Sequence, residues 1–376
     1  MSLSVRSVQG RRGTADFVDV AWRVQAGRGT AWIPPLRVMV RDALDTRKNP
    51  FYRNAERELF IAERDGVRVG RIAAIENGNH NDYHGDRTGF FGFFECVDDP
   101  EAARGLVDAA RDWLAARGLE TIRGPMNPSM HNDLGVLVDG FDLDPVLTMP
   151  WNPPYYDSLL QGTGLKGVRD LLAYFLESGA EQTMPERLRR LAERQKRRSR
   201  LTFRRWDFGT FEQEARLVHR LYCASWEGNW GFTPPSWDEF WHLAKDLKAL
   251  LHPDFTFVGE VDGEPVGFVM IARDLNRVLR KIPSGRLWPW NIARLLFGVR
   301  SVRQGRFVLL GLTPEYRRRG YFSMFAAEVA RRAAAAGAEG AEASWVLEEN
   351  EALIAPLAAM GLEPNKRWRI YEGGVR

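Results

Sequence analysis

The chain has little cysteine and no long uncharged apolar run. Its two cysteines, Cys96 and Cys223, lie far apart in the 376 residues and belong to no CxxC or histidine-rich motif. This spacing argues against a disulfide framework and a structural zinc site, and it is typical of a reducing compartment. No stretch approaches the roughly 18 apolar residues that a transmembrane helix needs, and the amino terminus lacks the apolar core of a signal peptide. We therefore expect a soluble, cytoplasmic protein without a metal site.

An excess of charge of one sign is also missing. The 53 Lys and Arg residues and the 49 Asp and Glu residues leave a formal net charge of +4. This balance permits an anionic partner without requiring one. With 44% hydrophobic and 27% charged residues, the composition is that of a folded globular protein. The length exceeds that of most single hydrophobic cores, so we expect two domains.

The most informative feature that is present is an internal repeat with an offset of 197 residues. The segment FIAERDGVRVG at 60–70 shares six positions with FVGEVDGEPVG at 257–267. A Gly-Leu pair at 164–165 recurs with the same offset at 361–362. Because Asp-Gly between alternating strands is a strong hairpin signal, each half is predicted to carry a β-hairpin at this point.

Both halves are predicted to follow the same order of hairpin, strand, helix, strand, helix and closing strand. In the second half, the periodicity predicts a strand at 306–312, a helix at 321–336 and a strand at 341–347. The predicted fold class is α/β in the α+β sense, with two tandem domains that each contain a mixed, mostly antiparallel twisted sheet flanked by helices. We place these domains at 1–178 and 179–376.

The segment LGLTPEYRRRGYFSMF at 310–325 carries the clearest chemical signal. An apolar strand ends, three arginines follow, and a glycine precedes a helix. The first amides of a helix and the helix dipole form an anion site, and a glycine lets a phosphate approach the backbone. We therefore predict a site for the diphosphate of a thioester carrier. The alternative interpretation is a solvated helix entry.

This segment resembles the CoA-binding motif of the GNAT acyltransferase superfamily, a strand followed by Pro-x-Tyr-Arg-x-x-Gly-x-Gly/Ala and a helix. As in that family, an asparagine, Asn350, stands eleven residues before a glycine, Gly361. The resemblance implies that acyl-CoA or acetyl-CoA is the co-substrate, and we expect no metal. The implied CoA-binding residues are Leu310, Gly311, Leu312, Arg317, Arg318, Arg319, Gly320, Tyr321, Phe322, Ser323 and Asn350.

Two positions depart from the family pattern. Phe322 stands where the family has a second glycine or alanine, and Leu357 stands where a tyrosine usually protonates the leaving thiolate. Because a thiol has a pKa of about 8.5, its thiolate can leave with little assistance. Glu348 and Glu349, at the end of a predicted strand, are our candidates for the general base, and exposed loop-end glutamates are the alternative interpretation. Further candidates for the base are His131, His219 and His242.

Two segments of the second half are candidates for contacts with the acceptor. The resemblance places SWEGNWGF at 225–232 in the acceptor wall, with core packing as the alternative. Its candidate acceptor-binding residues are Trp226, Asn229, Trp230 and Phe232. The segment 279–305 interleaves Arg and Lys with Leu, Trp and Phe, as in chains that lie at a membrane interface. We expect it to make a peripheral contact with the inner membrane face, with an inter-domain brace or a dimer contact as alternatives.

The first half lacks the arginine–glycine loop. At the corresponding place it carries DDPEAARGL, which puts acidic residues where phosphates would need donors. We therefore interpret it as a GNAT-like domain that does not bind CoA, in a tandem similar to the N-myristoyltransferase and Fem-type ligase architectures. The GxGxxG match at 162–167 follows a predicted helix, not a strand, so we reject a dinucleotide site.

The chain as a whole resembles a narrower bacterial group, the YghO-like proteins with GNAT-type ceramide synthases. The segments that carry this resemblance include GFFGFFE, GNWGF and WVLEEN. The resemblance implies an N-acyltransferase that moves a long-chain acyl group from acyl-CoA to a sphingoid base. The alternatives are a non-catalytic acyl-CoA or lipid-binding protein and a Fem-like ligase that uses aminoacyl-tRNA through the basic stretch 186–205. Since a charge run on one helix is usually a solvated face, we do not expect nucleic acid as a partner.

Overall fold

The computed structural model describes residues 2–25, 31–178, 186, 190, 193–194 and 199–376. These residues form two compact units. Unit 1 contains the chain up to Leu171, Leu279–Ile292 and Lys366–Arg376, and unit 2 contains Leu172–Val278 and Ala293–Asn365. No helix in the described ranges combines the length and the hydropathy required to span a bilayer. Nine of the twenty residues of the basic stretch 186–205 lie outside the described residues.

Unit 1 is built around a mostly antiparallel sheet. Its strands are β1 (Leu3–Ser7), β2 (Ala55–Arg64), β3 (Val67–Asn77), β4 (Thr88–Cys96), β5 (Thr121–Gly124), β6 (Met126–Asn127), β7 (Asp133–Leu134), β8 (Val136–Asp139), the first half of β9 (Lys166–Glu177) and β15 (Lys366–Gly374). Its helices are α1 (Gly10–Val24), α2 (Arg37–Ala43), α3 (Gly78–His84), α4 (Pro100–Ala115) and α5 (Tyr155–Gly162). The sheet order is β1-β2-β3-β4-β5-β15-β9, with β8 also paired to β15.

Unit 2 repeats this arrangement. Its strands are β10 (Leu201–Arg205), β11 (Leu251–Val261), β12 (Glu264–Arg273), β13 (Gln304–Leu312), β14 (Gly340–Leu347) and the second half of β9. Its helices are α6 (Phe211–Trp226), α7 (Trp237–Leu247), α10 (Pro314–Arg318), α11 (Phe322–Ala336) and α12 (Glu351–Ala359). The sheet order is β10-β11-β12-β13-β14-β9. The chain passes between the units at α8 (Asn276–Leu279) and α9 (Pro289–Gly298).

The predicted fold class is confirmed: each unit is a mixed, mostly antiparallel sheet with flanking helices. The Asp-Gly pairs of the repeat are the turns of the β2–β3 and β11–β12 hairpins. Asp65 and Gly66 have φ values of 50° and 78°, and Asp262 and Gly263 have values of 52° and 85°. Two successive residues with positive φ form the turn whose twist matches that of two-residue hairpins, and Asp-Gly adopts it readily. The repeat therefore has the same local geometry in both units.

The closing strands are exchanged between the two halves of the sequence. Strand β15, the last of the second half, pairs antiparallel with β5 in unit 1, where Tyr371 lies opposite Gly124. The second half of β9, the last strand of the first half, lies beside β14 in unit 2. The division at 178/179 stays a prediction, since the polar boundary stretch lies outside the described residues. The compact units differ from 1–178 and 179–376 because a strand joins the sheet that pairs with its backbone.

Each unit has its own apolar core. In unit 1, α4 packs its buried face on β2 and β3, and the cluster includes Leu106, Ala110 and Leu114. In unit 2, Phe325 of α11 packs against Phe257 and the other aromatic side chains of β10 and β11. Burying large aromatic side chains is a main source of stability in such cores. These packing contacts hold α4 and α11 against their sheets.

Candidate functional site

The candidate site is a cavity of about 720 Å³ in unit 2. Strands β13 and β14 are parallel and pair only at their first residues, from Gln304 opposite Gly340 to Phe307 opposite Ala343. Beyond this point the strands part, and residues of both line the cavity. Helix α11 covers it along its length, from Phe322 to Gly337, which corresponds to about 22 Å at 1.5 Å per residue. A cavity of this volume is within the range of small-molecule sites.

A β-bulge lies where the two strands begin to part. In the register of β12 and β13, Met270 lies opposite Leu309 and Ile271 opposite Phe307, so the register passes over Val308. A bulged residue is left out of the regular ladder of hydrogen bonds and bends its strand. Val308 also lines the cavity. The bulge therefore lies in the lining of the cavity.

The predicted phosphate loop lies at one end of this cavity. Gly320 has a φ of 76°, a conformation that glycine adopts without steric cost. Tyr321, which caps α11, makes no side-chain hydrogen bond to the helix. The amides of Gly320 and Tyr321 donate to the carbonyl oxygens of Arg317 and Tyr316, at 3.1 and 3.2 Å. The amides of Met324 and Phe325 donate to the carbonyl oxygen of Tyr321. The predicted donors for an anion are therefore the amides at the start of α11, at Phe322 and Ser323.

The three arginines of the loop have different surroundings. Arg317 donates to the carbonyl oxygens of Ser225 and Leu312, and its burial lowers the pKa of its guanidinium. It therefore fixes the loop against α6 and β13. Arg319 is exposed and forms an ion pair with Glu315 at 2.8 Å. Arg318 is exposed at the end of α10, where it can add positive charge near an anion.

The structure brings most of the predicted residues together. The predicted residues that line the cavity are Leu310, Gly311, Leu312, Arg317, Gly320, Phe322, Ser323, Asn350, Trp226 and Asn229. The predicted residues outside its lining are Arg318, Arg319, Tyr321, Trp230, Phe232, Glu348 and Glu349. The residues predicted from the sequence motif therefore line one wall and one end of the cavity. Their roles stay predictions.

Trp226 and Asn229 form the wall on the side of α6. A Cβ atom on Gly311 would lie 2.8 Å from the Trp226 ring, so the absence of a side chain allows the indole to lie against β13. Phe232 has the structural role that was the alternative interpretation, because its buried ring packs edge-on against Tyr222 with 5.4 Å between centroids. Trp230, which lies between Asn229 and Phe232 in the sequence, is half-buried and does not line the cavity.

The predicted bases do not reach the cavity. Glu348 and Glu349 are exposed at the end of β14, so this geometry disfavours a role as base. His219 and His242 lie on α6 and α7 outside the lining, and His131 lies in a turn of unit 1. Leu357 lines the cavity and is buried, which places an apolar side chain where the family has a tyrosine.

Sequence reasoning missed the far end of the cavity. His252, Arg273, Arg300 and Arg303 line it there. Burial and the charge of Arg273 lower the pKa of His252, and its Nδ1 accepts a hydrogen bond from the amide of Asp254 at 3.2 Å. These four residues come from β11, β12 and the segment before β13, so no short motif brings them together.

The corresponding cleft of unit 1 is filled by the chain itself. Strands β4 and β5 pair in parallel from Thr88 to Phe90 and then part, and a bulge follows at Phe93. The amide of Phe93 donates to Oδ1 of Asn127 at 2.5 Å. A Cβ atom on Gly92 would lie 1.8 Å from the carbonyl oxygen of Met126. Strand β6 therefore occupies in unit 1 the position that is open in unit 2.

Each half also has an asparagine before its last helix, Asn152 and Asn350, which are 198 residues apart, one more than the repeat offset. These two asparagines differ in the same way. Asn152, which precedes α5, is buried, and its carboxamide exchanges hydrogen bonds of 2.7 and 3.1 Å with both backbone groups of Leu137. Asn350 precedes α12 without a side-chain capping bond and lines the cavity. A carboxamide that pairs with a peptide group in unit 1 thus has a counterpart that faces open space in unit 2.

Comparison with known proteins agrees with this geometry. The acetyltransferase (GNAT) family matches residues 216–361. The chain is 33% identical to the bacterial ceramide synthase of Caulobacter vibrioides (strain NA1000 / CB15N) over 380 residues, which cover 98% of this chain and 97% of that protein. It is 31% identical to Protein YghO of Escherichia coli (strain K12), over 91% of this chain and 88% of that protein.

Solved structures show the same fold at low sequence identity. A tandem GNAT protein from the clavulanic acid biosynthesis pathway matches with a TM-score of 0.59 and 13% identity, over 100% of this chain and 99% of that one. A GCN5-related N-acetyltransferase from Sphaerobacter thermophilus matches with a TM-score of 0.52 and 12% identity, over 100% and 96% of the two chains. With the full-length relatives and the motif in place, the chain belongs to the acetyltransferase (GNAT) family and is a GNAT-type N-acyltransferase.

Proposed function

We propose that the protein transfers an acyl group from acyl-CoA to the nitrogen of a long-chain amine of the sphingoid type. The observation that carries the proposal is the open cleft of unit 2, which keeps the bulge and the asparagine of unit 1 without the segment that fills the unit 1 cleft. The 33% identity over nearly the whole length of a protein named bacterial ceramide synthase supports the choice of acceptor.

The residues present fit acyl-CoA. The first turn of α11, beside Gly320, offers backbone amides and the positive end of a helix dipole to the diphosphate. Asn350 offers a carboxamide to the amide groups of the pantetheine arm, as Asn152 does to a peptide group in unit 1. The alanines of α11 that line the cavity leave room for an arm and an acyl chain. These alanines are Ala326, Ala330, Ala333 and Ala336.

The reaction is an acyl transfer from sulfur to nitrogen. The amine lone pair attacks the thioester carbon, the carbon–sulfur bond breaks, sulfur leaves as a thiolate and the nitrogen loses one proton. We propose that backbone donors at the Val308 bulge stabilise the negative charge that develops on the carbonyl oxygen, which is supported by the position of Val308 in the cavity lining. The parted strands hold the two reactants in one orientation, which can supply a large part of the acceleration.

The cavity offers little general base catalysis. Of its lining residues, Glu177 is exposed and His252 uses the lone pair of Nδ1 to accept a backbone hydrogen bond. His252 would therefore carry its proton on Nε2 in the neutral form. We infer that the amine proton passes to water, so activity should rise with pH until the amine itself is deprotonated.

A second candidate, a binding protein without turnover, is favoured by one observation. Leu357 replaces the tyrosine of the family at a buried position that lines the cavity. Release of free CoA thiol separates the two candidates. An enzyme releases thiol only when an amine acceptor is present, whereas a binding protein protects the thioester from hydrolysis and releases none.

The proposal is tested with a chain-length series of acyl-CoAs against a panel of amines that includes sphinganine. We expect thiol release with long-chain acyl-CoA and a long-chain amine, and formation of the corresponding amide by mass spectrometry. Turnover with short polar amines only would overturn the proposed acceptor.

The CoA site is tested by Gly320→Asp with Gly320→Asn as its matched control. Both side chains tolerate positive φ better than other residues, and they differ in charge alone. We expect Gly320→Asp to lose about tenfold more CoA affinity than Gly320→Asn, which is about 1.4 kcal/mol. Equal affinities for the two variants would place the diphosphate elsewhere.

A further inference from the structure

The segment Leu287–Phe297, which includes most of α9, has the opposite of the polarity expected for a surface helix. Its buried residue within α9 is polar Asn291, whose side chain donates to the carbonyl oxygen of Arg286. Leu295 is half-buried, and the other six large apolar side chains are between 42% and 75% exposed. They are Leu287, Trp288, Trp290, Ile292, Leu296 and Phe297. An exposed apolar patch of this kind marks an interaction surface on a soluble domain.

In the sequence, the charge next to this apolar segment is of one sign, although Arg277 and Arg280 pair with Asp274 and Asp144 in the structure. Residues 275–314 contain no Asp or Glu. The basic residues in this range are Arg277, Arg280, Lys281, Arg286, Arg294, Arg300, Arg303 and Arg306. Aromatic side chains with interleaved arginines match the headgroup region of a bilayer, where rings lie at the interface and cations meet anionic phosphates.

We propose that the apolar segment docks the protein on an anionic lipid surface. The exposed indole rings of Trp288 and Trp290 stack on one another at 5.7 Å and provide a rigid apolar wedge of the kind that lies at headgroup depth. A second copy of the chain is a poorer occupant, because a two-fold contact would place two patches of the same positive charge against each other.

The end of the apolar segment, from Ala293, belongs to unit 2, which also contains the cavity. Residues 300–305 follow α9 in the chain and line the far end of the cavity. Arg300 and Arg303 are exposed there, so both can contact anionic phosphates. The next step rests on the proposed function. We infer that a long-chain amine enters the cavity from the bilayer and need not cross water.

Lipid binding is tested with the full-length protein and no substrate. Sedimentation with vesicles of phosphatidylcholine and phosphatidylglycerol in equal parts should carry the protein down, and vesicles of phosphatidylcholine alone should carry down much less. Added salt should weaken binding, since it screens charge at the surface. Equal binding to both vesicles, unaffected by salt, would overturn the role of the arginines.

The apolar contribution is tested by the double variant Trp290→Ser/Phe297→Ser, which changes two exposed side chains outside the cavity lining. We expect at least tenfold weaker vesicle binding, or about 1.4 kcal/mol. The matched control Val67→Ser/Tyr83→Ser removes two apolar side chains that are also about half exposed, and it should bind vesicles as the unchanged protein does. Equal binding by both double variants would overturn the proposal.

Two further measurements separate this proposal from its rivals. Sedimentation equilibrium of Trp290→Ser/Phe297→Ser should show the same association state as the unchanged protein, and loss of a dimer would assign the surface to a second copy. Activity with an amine dispersed in detergent should be retained by the variant, while activity with the amine embedded in anionic vesicles should fall. Loss of activity in both assays would point to the cavity and would count against docking.

Discussion

The two units carry the same cleft in two states. In each, a pair of parallel strands parts after a few residues, a bulge follows, and an asparagine precedes the helix near the closing strand. In unit 1, β6 fills the gap. Asn127 accepts a hydrogen bond from the amide of the bulge residue, and Asn152 forms two hydrogen bonds with the backbone of Leu137. In unit 2, the same gap is a cavity of about 720 Å³. The same arrangement of strands and helices thus gives a cleft filled by the chain in unit 1 and an open cavity in unit 2.

The helix that follows the first strand of each cleft shows the same contrast. Asp99 caps α4, accepting hydrogen bonds from the amides of Glu101 and Ala102, and pairs with Arg64 at 2.8 Å. Helix α11 starts at a tyrosine without a side-chain cap. A carboxylate on a helix N-terminus satisfies the donors that a phosphate would need. In unit 1 the helix N-terminus is therefore capped by its own chain, whereas we propose that the corresponding groups of unit 2 bind a ligand.

The largest effect is expected where the two closing strands have diverged. Asp170 and Arg367 occupy equivalent repeat positions and form an ion pair at 2.9 Å, with Arg369 at 2.8 Å as the second partner of Asp170. Asp170→Asn leaves two guanidinium groups without their counter-ion and should lower the free energy of unfolding by about 3 kcal/mol. Chemical denaturation at neutral pH measures this change, with exposed Glu177→Gln as control.

The pH dependence of this difference has a definite sign. Burial would raise the pKa of Asp170, but hydrogen bonds from Arg369 and Arg367 outweigh it and the pKa is lowered. The stabilisation is therefore full above the unfolded pKa of about 3.9 and is lost as pH falls through the lower folded value. The difference between Asp170→Asn and the unchanged protein should shrink in acid. A difference that stayed constant down to acid pH would contradict this assignment.

A large side chain on α11 should fill the open cleft of unit 2. Ala326→Trp places an indole from α11 into the cavity and should weaken binding of acyl-CoA by about 100-fold, or about 2.7 kcal/mol. Isothermal titration with the acyl-CoA measures the affinity, and circular dichroism checks the fold. Ala326→Ser is the control and should bind as the unchanged protein does. Full affinity of the tryptophan variant would show that the cavity is not the CoA site.

Substitutions of Asn152 and Asn350 should have different effects in the two units. Asn152→Ala removes the partner of a buried peptide group and should cost about 2 kcal/mol of stability, without a change in CoA affinity. Asn350→Ala should leave stability within experimental error and weaken CoA binding about tenfold. Thermal unfolding and titration on the two variants give both values for each. If the two substitutions had the same pair of effects, the units would not differ in the way described.

The smallest effect is expected at the end of β14. Because Glu348 and Glu349 are exposed and lie outside the cavity lining, the double variant Glu348→Gln/Glu349→Gln should keep kcat/KM within about twofold, as surface changes usually do. Steady-state kinetics across a pH series measures this value. A large loss with a changed pH profile would restore the glutamates as the base.

Much of the fold could be predicted because its signals are local. Asp65-Gly66 and Asp262-Gly263 each encode a turn by themselves. The strand–arginine–glycine–helix motif places Gly320 just before the N-terminus of α11. The strand exchange could not be predicted in this way. Tyr371 lies opposite Gly124, and a pairing between residues so far apart in the chain has no sequence pattern of its own.

The site was predictable where it depends on a motif and not where it depends on packing. Asn350 is identified by its resemblance to the family motif, and it lines the cavity. Val308 has no distinctive side chain, since a bulge is a property of the register of two strands. Arg317 belongs to the motif, but only the fold shows that its guanidinium reaches Ser225 and Leu312. His252 comes to the cavity from a strand that the motif does not include.

The position of β15 has a consequence for synthesis of the chain. The sheet of unit 1 is complete only when residues 366–374 have left the ribosome, because they form its strand between β5 and β9. Until then β5 presents an unpaired edge, which is prone to wrong pairing. Removing the last eleven residues should therefore disrupt the first half of the protein more than the second, and neither half should be obtainable as an isolated folded fragment.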